Sequence, residues 1–418
     1  MKVRGFGPDA TAGDIRALSA VDGDVEADVR AIVEEVRSGG DDAVRRLTER
    51  FDRAALAPEQ LAVDAAEIEA SINTLAPEVL AGLNTAIANV RAAAEAQLRE
   101  PVAVELDAGQ RLEIAEVPVR RAAAYVPAGR APYPSTVVMC AVTARAAGVE
   151  ELAVCAPPGP EGRAHPAILA ACGLCGVSEV YRMGGAQAIA ALAYGTESVR
   201  PVDVIVGPGN RWVTEAKRQV AGTVGIDGLA GPSELVVVAS AGADGERVTL
   251  DLLAQAEHGP DTLIALISAD DNLLSEVAVL LGTLGAERPS VVGEVAAVVR
   301  TKDVRDAVML ADALAPEHLQ LVGAEAEGMA STVRSAGAVF VGSDAGTAFG
   351  DYVAGSNHVL PTGGAARFAS GLSPATFRRR MARVSLPDGV AARLAPAGAA
   401  IARAEGFPVH AESMERRA

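Results

Sequence analysis

The chain contains few aromatic residues and few cysteines. Phe, Trp and Tyr make up 3% of its 418 residues, while hydrophobic residues make up 50%. The interior must therefore consist mainly of Ala, Val and Leu in closely packed elements, which favours layered α/β structure. Four cysteines are too few for a disulfide framework in a chain of this length. Cys172 and Cys175 form a C-x-x-C without a second pair nearby, so we interpret the cysteines as core residues.

Basic charge and long apolar runs are also scarce. The formal net charge of −17 argues against binding nucleic acid or an anionic membrane through a basic surface. No run approaches the roughly 18 apolar residues of a membrane span. Residues 1–14, MKVRGFGPDATAGD, lack the apolar segment of a signal peptide. We therefore expect a cytoplasmic protein without nucleic-acid or membrane partners.

From residue 122 onward, short β-rich runs alternate with helical stretches. The runs are AAAYV, ELAVC, SEVYRM and VDVIV, followed by a second series of ELVVVAS, TLIALIS, HLQLVG and AVFVG. This alternation predicts strand–helix units around parallel sheets, and the chain is too long for one ordinary core. We expect two α/β cores. The first hundred residues have helical periodicity, with a break at Gly39–Gly40, and predict packing helices.

The first series of strands is followed by glycine-containing turns, VPAGRAPYPS (126–135), MGGAQ (183–187) and GPGN (207–210). On a parallel sheet these turns share one edge, where ligands bind and glycines let the backbone approach a phosphate. No G-x-G-x-x-G occurs in this region. Ordinary tight turns therefore remain the alternative to a nucleotide site.

The stretch ERVTLDLLAQAE has apolar positions at helical spacing, and Gly259–Pro260 follows it, as is typical after a helix end. Gln255 and His258 are then expected on one face of the last turn. Alternatively, His258 only hydrogen-bonds to the last carbonyls or favours the negative end of the helix dipole. His165 is expected to be a surface or helix-capping residue.

Imidazole, carboxylate and amide groups indicate a candidate metal site without cysteine. Gln255, His258, Asp351 and His410 supply donors that suit a zinc ion with positions open for substrate. His358, seven residues after Asp351, is a competing ligand.

Glu317 and His318 differ from the candidate metal ligands, because they are adjacent in the chain at the start of HLQLV, which predicts a strand. Neighbouring side chains of a strand face opposite sides. They need a turn to cooperate. In one pocket they can act as bases on water and on substrate respectively.

Several motifs together resemble the histidinol dehydrogenase family, a group of NAD-dependent zinc enzymes of histidine biosynthesis. They are YVPAGRAPYPS, GGAQAIAALAYGTESV, GPGNRWVTEAKRQV, AGPSEL, QAEHGPD, APEHLQ and GDYVAGSNHVLPTGG. The resemblance extends from about TERFD at residues 48–52 to the final HAESMERR.

The resemblance implies a role for each matching residue. The implied zinc ligands are Gln255, His258, Asp351 and His410, with His358 a neighbour of the site. The implied catalytic residues are Glu317 and His318, and the implied NAD contacts are Tyr125, Gln187 and Asn210. The implied substrate contacts are Ser233, His318 and Glu405 together with the four zinc ligands. One position departs from the family, since Ala128 stands where the family usually has glycine, and a requirement for positive φ or for close backbone approach there would lower nucleotide affinity.

The implied activity is a two-step oxidation of L-histidinol through L-histidinal to L-histidine by a homodimer with shared active sites. The implied fold is α/β, with two incomplete Rossmann-like domains and small terminal segments. We expect an N-terminal segment at 1–22, a first α/β domain with the metal and catalytic residues at 23–125 and 234–372, an NAD-binding domain at 126–233, and a helical tail at 373–418.

Three other functions remain alternatives. The first is a paralogue with the same zinc and NAD chemistry that acts on another small alcohol, such as a sulfonated diol. The second is a catalytically silent zinc-binding protein, which the intact Glu317 and His318 argue against. Without the resemblance, the alternative is a zinc hydrolase that uses Glu317 as its base.

Overall fold

The computed structural model describes residues 1–19, 23–128 and 131–418. Residues 20–22 of the expected N-terminal segment and residues 129–130 of the VPAGRAPYPS turn lie outside the described residues. The described strands are β1 (Lys2–Phe6), β2 (Val102–Glu105), β3 (Arg111–Pro118), β4 (Arg121–Tyr125), β5 (Glu151–Ala156), β6 (Glu179–Arg182), β7 (Val204–Val206), β8 (Gly225–Ile226), β9 (Glu234–Ala239), β10 (Leu263–Ser268), β11 (Val295–Arg300), β12 (His318–Val322), β13 (Ala338–Val341) and β14 (Arg378–Ser385). The described α-helices are α1 (Ala12–Arg16), α2 (Glu26–Asp52), α3 (Ala65–Ile72), α4 (Pro77–Glu95), α5 (Pro134–Ala146), α6 (Pro166–Leu174), α7 (Gly185–Tyr194), α8 (Arg211–Val220), α9 (Gly245–Gln255), α10 (Asp271–Ala286), α11 (Val304–Leu314), α12 (Ala324–Gly328), α13 (Thr347–Tyr352), α14 (Val390–Ala404) and α15 (Pro408–Glu415).

Two parallel sheets form the centre of the protein. The smaller has the strand order β6-β5-β4-β7-β8, and the larger has the order β1-β11-β10-β9-β12-β13. Apart from β1, both sheets follow the 3-2-1-4-5 order of Rossmann-type folds. The predicted α/β class with two incomplete Rossmann-like cores is therefore confirmed. All eight predicted strands are present, whereas β1, β8 and β11 of these two sheets were not predicted.

The smaller sheet has helices on both faces. Alternate residues of β4 face opposite sides, with Ala122 and Ala124 packing towards α3 to α6 and Ala123 and Tyr125 packing towards α2, α7 and α8. The small side chains of β4 let the helices approach closely. This packing differs from the expected grouping of residues 23–125 with the larger sheet. An amphipathic helix shows in its sequence that one face is buried, but not which sheet covers it.

The larger sheet is also covered on both faces. Leu235, Val237 and Ala239 of β9 pack with α9 and α10, while Val236 and Val238 pack with α1, α11 and α12. At its edge, β1 pairs in parallel with β11. The N-terminal residues therefore form part of the larger sheet and are not a separate segment.

The C-terminal region differs from the expected helical tail. It begins with the eight-residue strand β14, which pairs with β3 in an antiparallel sheet of order β14-β3-β2. Four arginines in RRRMARVS obscure the alternation that would predict a strand. After β14, helices α14 and α15 pack against each other. Within the described residues, no helix is both long and apolar enough to cross a membrane.

Three local predictions are confirmed. The long helix α2 is kinked at Gly40, where φ is 54°, close to the predicted helix end. His165 is exposed and caps α6, because its Nδ1 accepts from the N–H of Ala167 at 3.2 Å. Cysteines 140, 155 and 172 are buried in the core around the smaller sheet, and burial raises the pKa of each thiol.

Candidate active site

A cleft of about 1690 Å³ lies between the carboxyl edge of the smaller sheet and the amino edge of the larger sheet. The turns after β4, β6 and β7 line one side, and the residues before β9, β10 and β12 line the other. A single small-molecule pocket usually occupies about 300–1000 Å³. The cleft therefore has room for an extended cofactor and a second small molecule.

The three predicted nucleotide contacts share the smaller-sheet side of this cleft. Asn210 caps α8, because its Oδ1 accepts from the first backbone N–H groups of that helix at 3.0 and 3.2 Å. The Tyr125 hydroxyl accepts from the N–H of Gly185 at 3.2 Å, and Gln187 Nε2 donates to Asp52 Oδ2 at 3.5 Å. The hydroxyl proton of Tyr125 and the amide nitrogen of Asn210 take no part in these bonds and can donate to a ligand.

The GPGN turn is fixed against β4 by a buried ion pair. Lys217 Nζ donates to the carbonyl of Gly207 and to Asp227 Oδ1, each at 2.6 Å, and the N–H of Gly207 donates to Asp227 Oδ2 at 2.6 Å. Gly207 has φ 109°, and a Cβ there would lie 2.1 Å from the carbonyl oxygen of Tyr125. Sequence reasoning missed Lys217 and Asp227, because a lysine in a polar helix and a loop aspartate resemble surface residues.

Glu317 lies buried at the amino end of β12. The preceding helix α11 ends at Leu314, and Ala315 follows it in the left-handed conformation with φ 47°, which turns the chain before Glu317 and His318. Glu317 Oε2 accepts from Ser233 Oγ at 2.6 Å and from the N–H of Glu234 at 2.8 Å. Burial raises the pKa of Glu317 to about 7, although the His318 charge and these hydrogen bonds lower it.

His318 is oriented by a backbone carbonyl. Its Nδ1 lies 3.0 Å from the carbonyl oxygen of Glu234, and since a carbonyl only accepts, Nδ1 carries the proton. The neutral ring therefore has its lone pair on Nε2, which lies 3.5 Å from Asp351 Oδ1. Burial would lower the pKa of His318, but the carboxylates of Glu317 and Asp351 raise it above its ordinary value. A raised pKa favours the protonated ring, and loss of the Nε2 proton makes that nitrogen the base.

Gln255 belongs to the same hydrogen-bonded chain. Ser233 has one hydroxyl proton, which it donates to Glu317, so it must accept from Gln255 Nε2 at 2.6 Å. The amide oxygen of Gln255 takes no part in that bond. Helix α9 ends at Gln255, and His258 lies in the following turn, where its N–H donates to the carbonyl of Gln255 at 3.2 Å. The prediction that both lie on the last helical turn is therefore wrong for His258, because the helix stops before Ala256.

His258 and Asp351 line the cleft together. Burial would raise the pKa of Asp351, but its contact with His318 and the charges of His358 and His258 keep that pKa below its ordinary value. Asp351 is therefore an anionic donor beside imidazole groups.

His358 uses both ring nitrogens within the protein. Its Nδ1 donates to the carbonyl of Asp351 at 2.9 Å, and its Nε2 lies 3.1 Å from Thr136 Oγ1. Burial lowers the pKa of His358, so the neutral Nε2 accepts from the Thr136 hydroxyl. This geometry orients the backbone at Asp351 and leaves His358 without a free lone pair. Thr136 was missed in the sequence because it lies within a helical pattern of small residues.

The structure does not bring all predicted site residues together in one chain. Glu405 and His410 are exposed on the C-terminal helices and do not line the cleft, and the His410 ring instead lies 5.3 Å from the Phe407 ring. In the described ranges of this single chain, no cluster of three or more His, Cys, Asp or Glu side chains is arranged to hold a metal. Gln255 is an amide and so is not one of those residue types; it is buried, and its backbone carbonyl accepts from the N–H of His258.

Comparison with known proteins decides the family. A family model described as histidinol dehydrogenase matches residues 16–418. The chain belongs to the histidinol dehydrogenase family. This confirms the resemblance, and the protein is an oxidoreductase of that family.

Relatives and a solved structure agree along nearly the whole chain. The histidinol dehydrogenase of Cereibacter sphaeroides is 45% identical over 402 residues, which cover 94% of this chain and 92% of the relative. That of Gluconobacter oxydans is 43% identical over 397 residues, 93% of this chain and 92% of the relative. The crystal structure of histidinol dehydrogenase from Elizabethkingia anophelis has a TM-score of 0.91 at 30% identity and covers 100% of this chain and 98% of that one. These comparisons give no support to the sulfonated-diol alternative.

The one departure from the family pattern causes no backbone strain. Among the described residues, the non-glycine residues with positive φ are Arg53 and Ala315, and Ala128 is a described residue without this conformation. Its methyl group packs against the core around the smaller sheet. The expected loss of nucleotide affinity therefore has no basis in a positive φ at Ala128, and a loss through close backbone approach at this position stays a prediction.

Asp52 generates a prediction about pH-dependent stability. Burial raises the pKa of Asp52 from 3.8 to about 6, and a raised folded-state pKa stabilises the protein at low pH and loses that contribution as pH rises through 6. We expect Asp52→Asn to raise Tm relative to wild type above about pH 7, with the gain shrinking as pH falls towards 4. Thermal unfolding across this pH range measures it.

The exposed Glu49 of the same helix provides the control. Glu49→Gln should show no comparable gain at high pH. A Tm difference between Asp52→Asn and wild type that stays constant with pH would contradict the assignment.

Proposed function

We propose that the protein oxidises L-histidinol to L-histidine in two NAD-dependent steps, through L-histidinal. The observation that carries this proposal is the cleft in which the Glu317–His318 pair faces the turns of a Rossmann-type sheet. An acid–base pair beside a nucleotide-binding edge is the arrangement needed for dehydrogenation of an alcohol followed by oxidation of a hydrated aldehyde. Family membership supports the same activity.

The two bases have separate tasks. In the first step, Nε2 of His318 takes the hydroxyl proton of the alcohol, because Nδ1 already holds its proton against the carbonyl of Glu234. The aldehyde must then be hydrated, and Glu317 takes a proton from the attacking water. His318 returns the proton from the first step to the carbonyl oxygen, which completes the hydrate. The ring is then neutral again and removes a proton from the hydrate in the second oxidation. When bound, NAD accepts the hydride in each oxidation and zinc orients and polarises the substrate.

A zinc site at Gln255, His258, Asp351 and His410 fits the donors present. The hydrogen-bonded chain to Ser233 leaves the amide oxygen of Gln255 available, and Asp351 is anionic. Amide oxygen, carboxylate and imidazole suit zinc with a position open for substrate. The amine and imidazole nitrogens of L-histidinol suit the same ion. Of these four residues, His258 and Asp351 line the cleft, Gln255 is buried against Ser233, and His410 lies away from the site in the same chain.

We assign that missing ligand to a second subunit. The C-terminal region exposes large apolar side chains, with exposed fractions of 65% for Val384, 61% for Ile401 and 72% for Val409. Such side chains on adjacent elements are typical of a surface that another chain covers. A two-fold dimer in which each tail reaches the partner's cleft would bury this surface and bring His410 and Glu405 to the site.

The overall reaction predicts the stoichiometry. Mixing purified protein with L-histidinol and NAD should yield about two NADH and one histidine per histidinol consumed, because a proton acceptor and a water activator are both present. Absorbance of NADH and chromatography of histidine measure the yield. One NADH with accumulation of free histidinal would refute the two-step reaction.

Substitutions of Glu317 and His318 test whether the two residues act in different steps. Glu317→Gln should slow histidinal oxidation by roughly 10²–10⁴-fold and histidinol oxidation much less, since only the second step needs activated water. His318→Leu should slow both steps. Single-turnover measurements starting from histidinol and from histidinal separate the steps. Equal losses for Glu317→Gln in the two steps would contradict the assignment.

The proposed ligand set makes a prediction about metal content. His258→Asn should lose zinc and activity together, because it removes a proposed ligand. His358→Asn is the matched control and should keep zinc, because both nitrogens of His358 are bonded within the protein. Elemental analysis of the purified variants decides, and zinc lost from the His358 variant alone would show that the ligands are wrongly assigned.

The shared site predicts complementation. His318→Leu and His410→Asn chains should each be inactive alone, but subunit exchange under mild denaturant should restore about a quarter of wild-type sites in a two-fold dimer. Each heterodimer then has one cleft with an intact core and an intact partner tail. Labelled subunits verify the exchange. No recovery after complete exchange would mean that His410 serves its own chain.

A further inference from the structure

A buried ion pair outside the proposed catalytic machinery lies directly behind Glu317 and His318. Arg16 Nη1 donates to Glu234 Oε1 at 2.7 Å and Nη2 donates to Oε2 at 3.4 Å. The Glu234 side chain is 3% exposed and that of Arg16 is 25% exposed. Arg16 also donates to the carbonyl of Leu314, the last residue of α11. The pair joins the N-terminal helix α1 to the start of β9 and the end of α11.

Glu234 contacts both members of the catalytic pair through its backbone. Its N–H donates to the Glu317 carboxylate at 2.8 Å, and its carbonyl accepts from His318 Nδ1 at 3.0 Å. The peptide group before the Glu234 Cα therefore orients Glu317, and the peptide group after it orients His318.

The Glu234 carboxylate fixes that position. Oε2 accepts from the N–H of Glu317 at 3.2 Å, and Oε1 accepts from the N–H of Gly363 at 2.9 Å. One side chain thus ties β9 to the residue before β12 and to the loop that lines the cleft at Gly363. A buried carboxylate held in this way needs a cation, because removing the partner of a buried charge is strongly destabilising for that arrangement.

We propose that Arg16 and Glu234 are positioning residues that hold Glu317 and His318 in catalytic register. This inference rests on the proposed function. Neither residue reaches the reacting atoms, since their side chains point to the backbone behind the pair. Loss of Arg16 leaves Glu234 without its cation, so its carboxylate shifts and both catalytic side chains shift with it. Misplacement of a catalytic group by about 1 Å can cost ~10²-fold in rate.

The expected result distinguishes positioning from binding. Arg16→Met should lower kcat for histidinol oxidation and for histidinal oxidation by similar factors, roughly 10- to 100-fold. KM for histidinol and NAD should stay within about twofold, because the proposed NAD contacts and most of the proposed histidinol contacts are not bonded to Glu234. Arg16→Lys keeps the charge and should recover much of the lost kcat. Glu317→Gln differs, since its loss falls on the second step.

Arg121→Met provides a matched control for the loss of a buried guanidinium. Arg121 is buried and pairs with Glu151 and Glu179 at the amino edge of the smaller sheet, opposite the cleft. The Arg121→Met substitution should lower Tm but leave kcat unchanged at temperatures where the variant is folded.

Steady-state kinetics, single-turnover kinetics and thermal unfolding of wild type and the three variants decide the inference. The inference is wrong if folded Arg16→Met has the kcat of wild type. It is also wrong if Arg16→Lys does not recover the kcat lost in Arg16→Met, or if Arg16→Met changes KM alone. Failure of the proposed function would appear separately, as an absence of NADH from histidinol in wild type itself.

Discussion

The site depends on keeping one ionisable carboxylate, that of Glu317, buried beside an imidazole. A buried carboxylate needs hydrogen-bond donors, and here both come from the adjacent residues Ser233 and Glu234. Those residues are in place because β9 and β12 pair in parallel, with His318 opposite Leu235. In the larger sheet β9 and β12 are the first and fourth strands of the 3-2-1-4-5 order, so the sheet topology itself brings the bases together.

The two similar sheets use opposite edges for different chemistry. On the larger sheet, helices α9, α10 and α11 begin behind Asp244, Asp270 and Asp303, whose carboxylates occupy the helix N-termini where an anion would bind. On the smaller sheet, α7 begins at Gly185 behind Gly184, which has no side chain, and the N–H of Gly185 donates to the neutral Tyr125 hydroxyl. The first turn of α7 has no acidic residue and lines the cleft, so the carboxyl edge of the smaller sheet is the one suited to a nucleotide phosphate.

The sequence predicted elements that carry a local signal and missed those that depend on packing. Eight strands with apolar runs were predicted, but the apolar run of β11 was missed, arginines hid β14, and β1 gains its place only by pairing with β11. Motifs supplied Glu317, His318 and Gln255, because their residue types are uncommon at such positions. Arg16 and Glu234 were missed as partners, since they are 218 residues apart and nothing in either segment indicates the other.

The hydrogen-bonded chain through Ser233 explains why residues assigned to metal, substrate and catalysis form one unit. Gln255 donates to Ser233, and Ser233 donates to Glu317. The Glu317 carboxylate can only accept, so it sets the direction of both hydrogen bonds. Reversing the Gln255 amide would place its oxygen against Ser233, whose single proton is already committed. The carboxylate therefore determines which atom of Gln255 is free to bind a metal, and the base and the proposed ligand cannot be oriented independently.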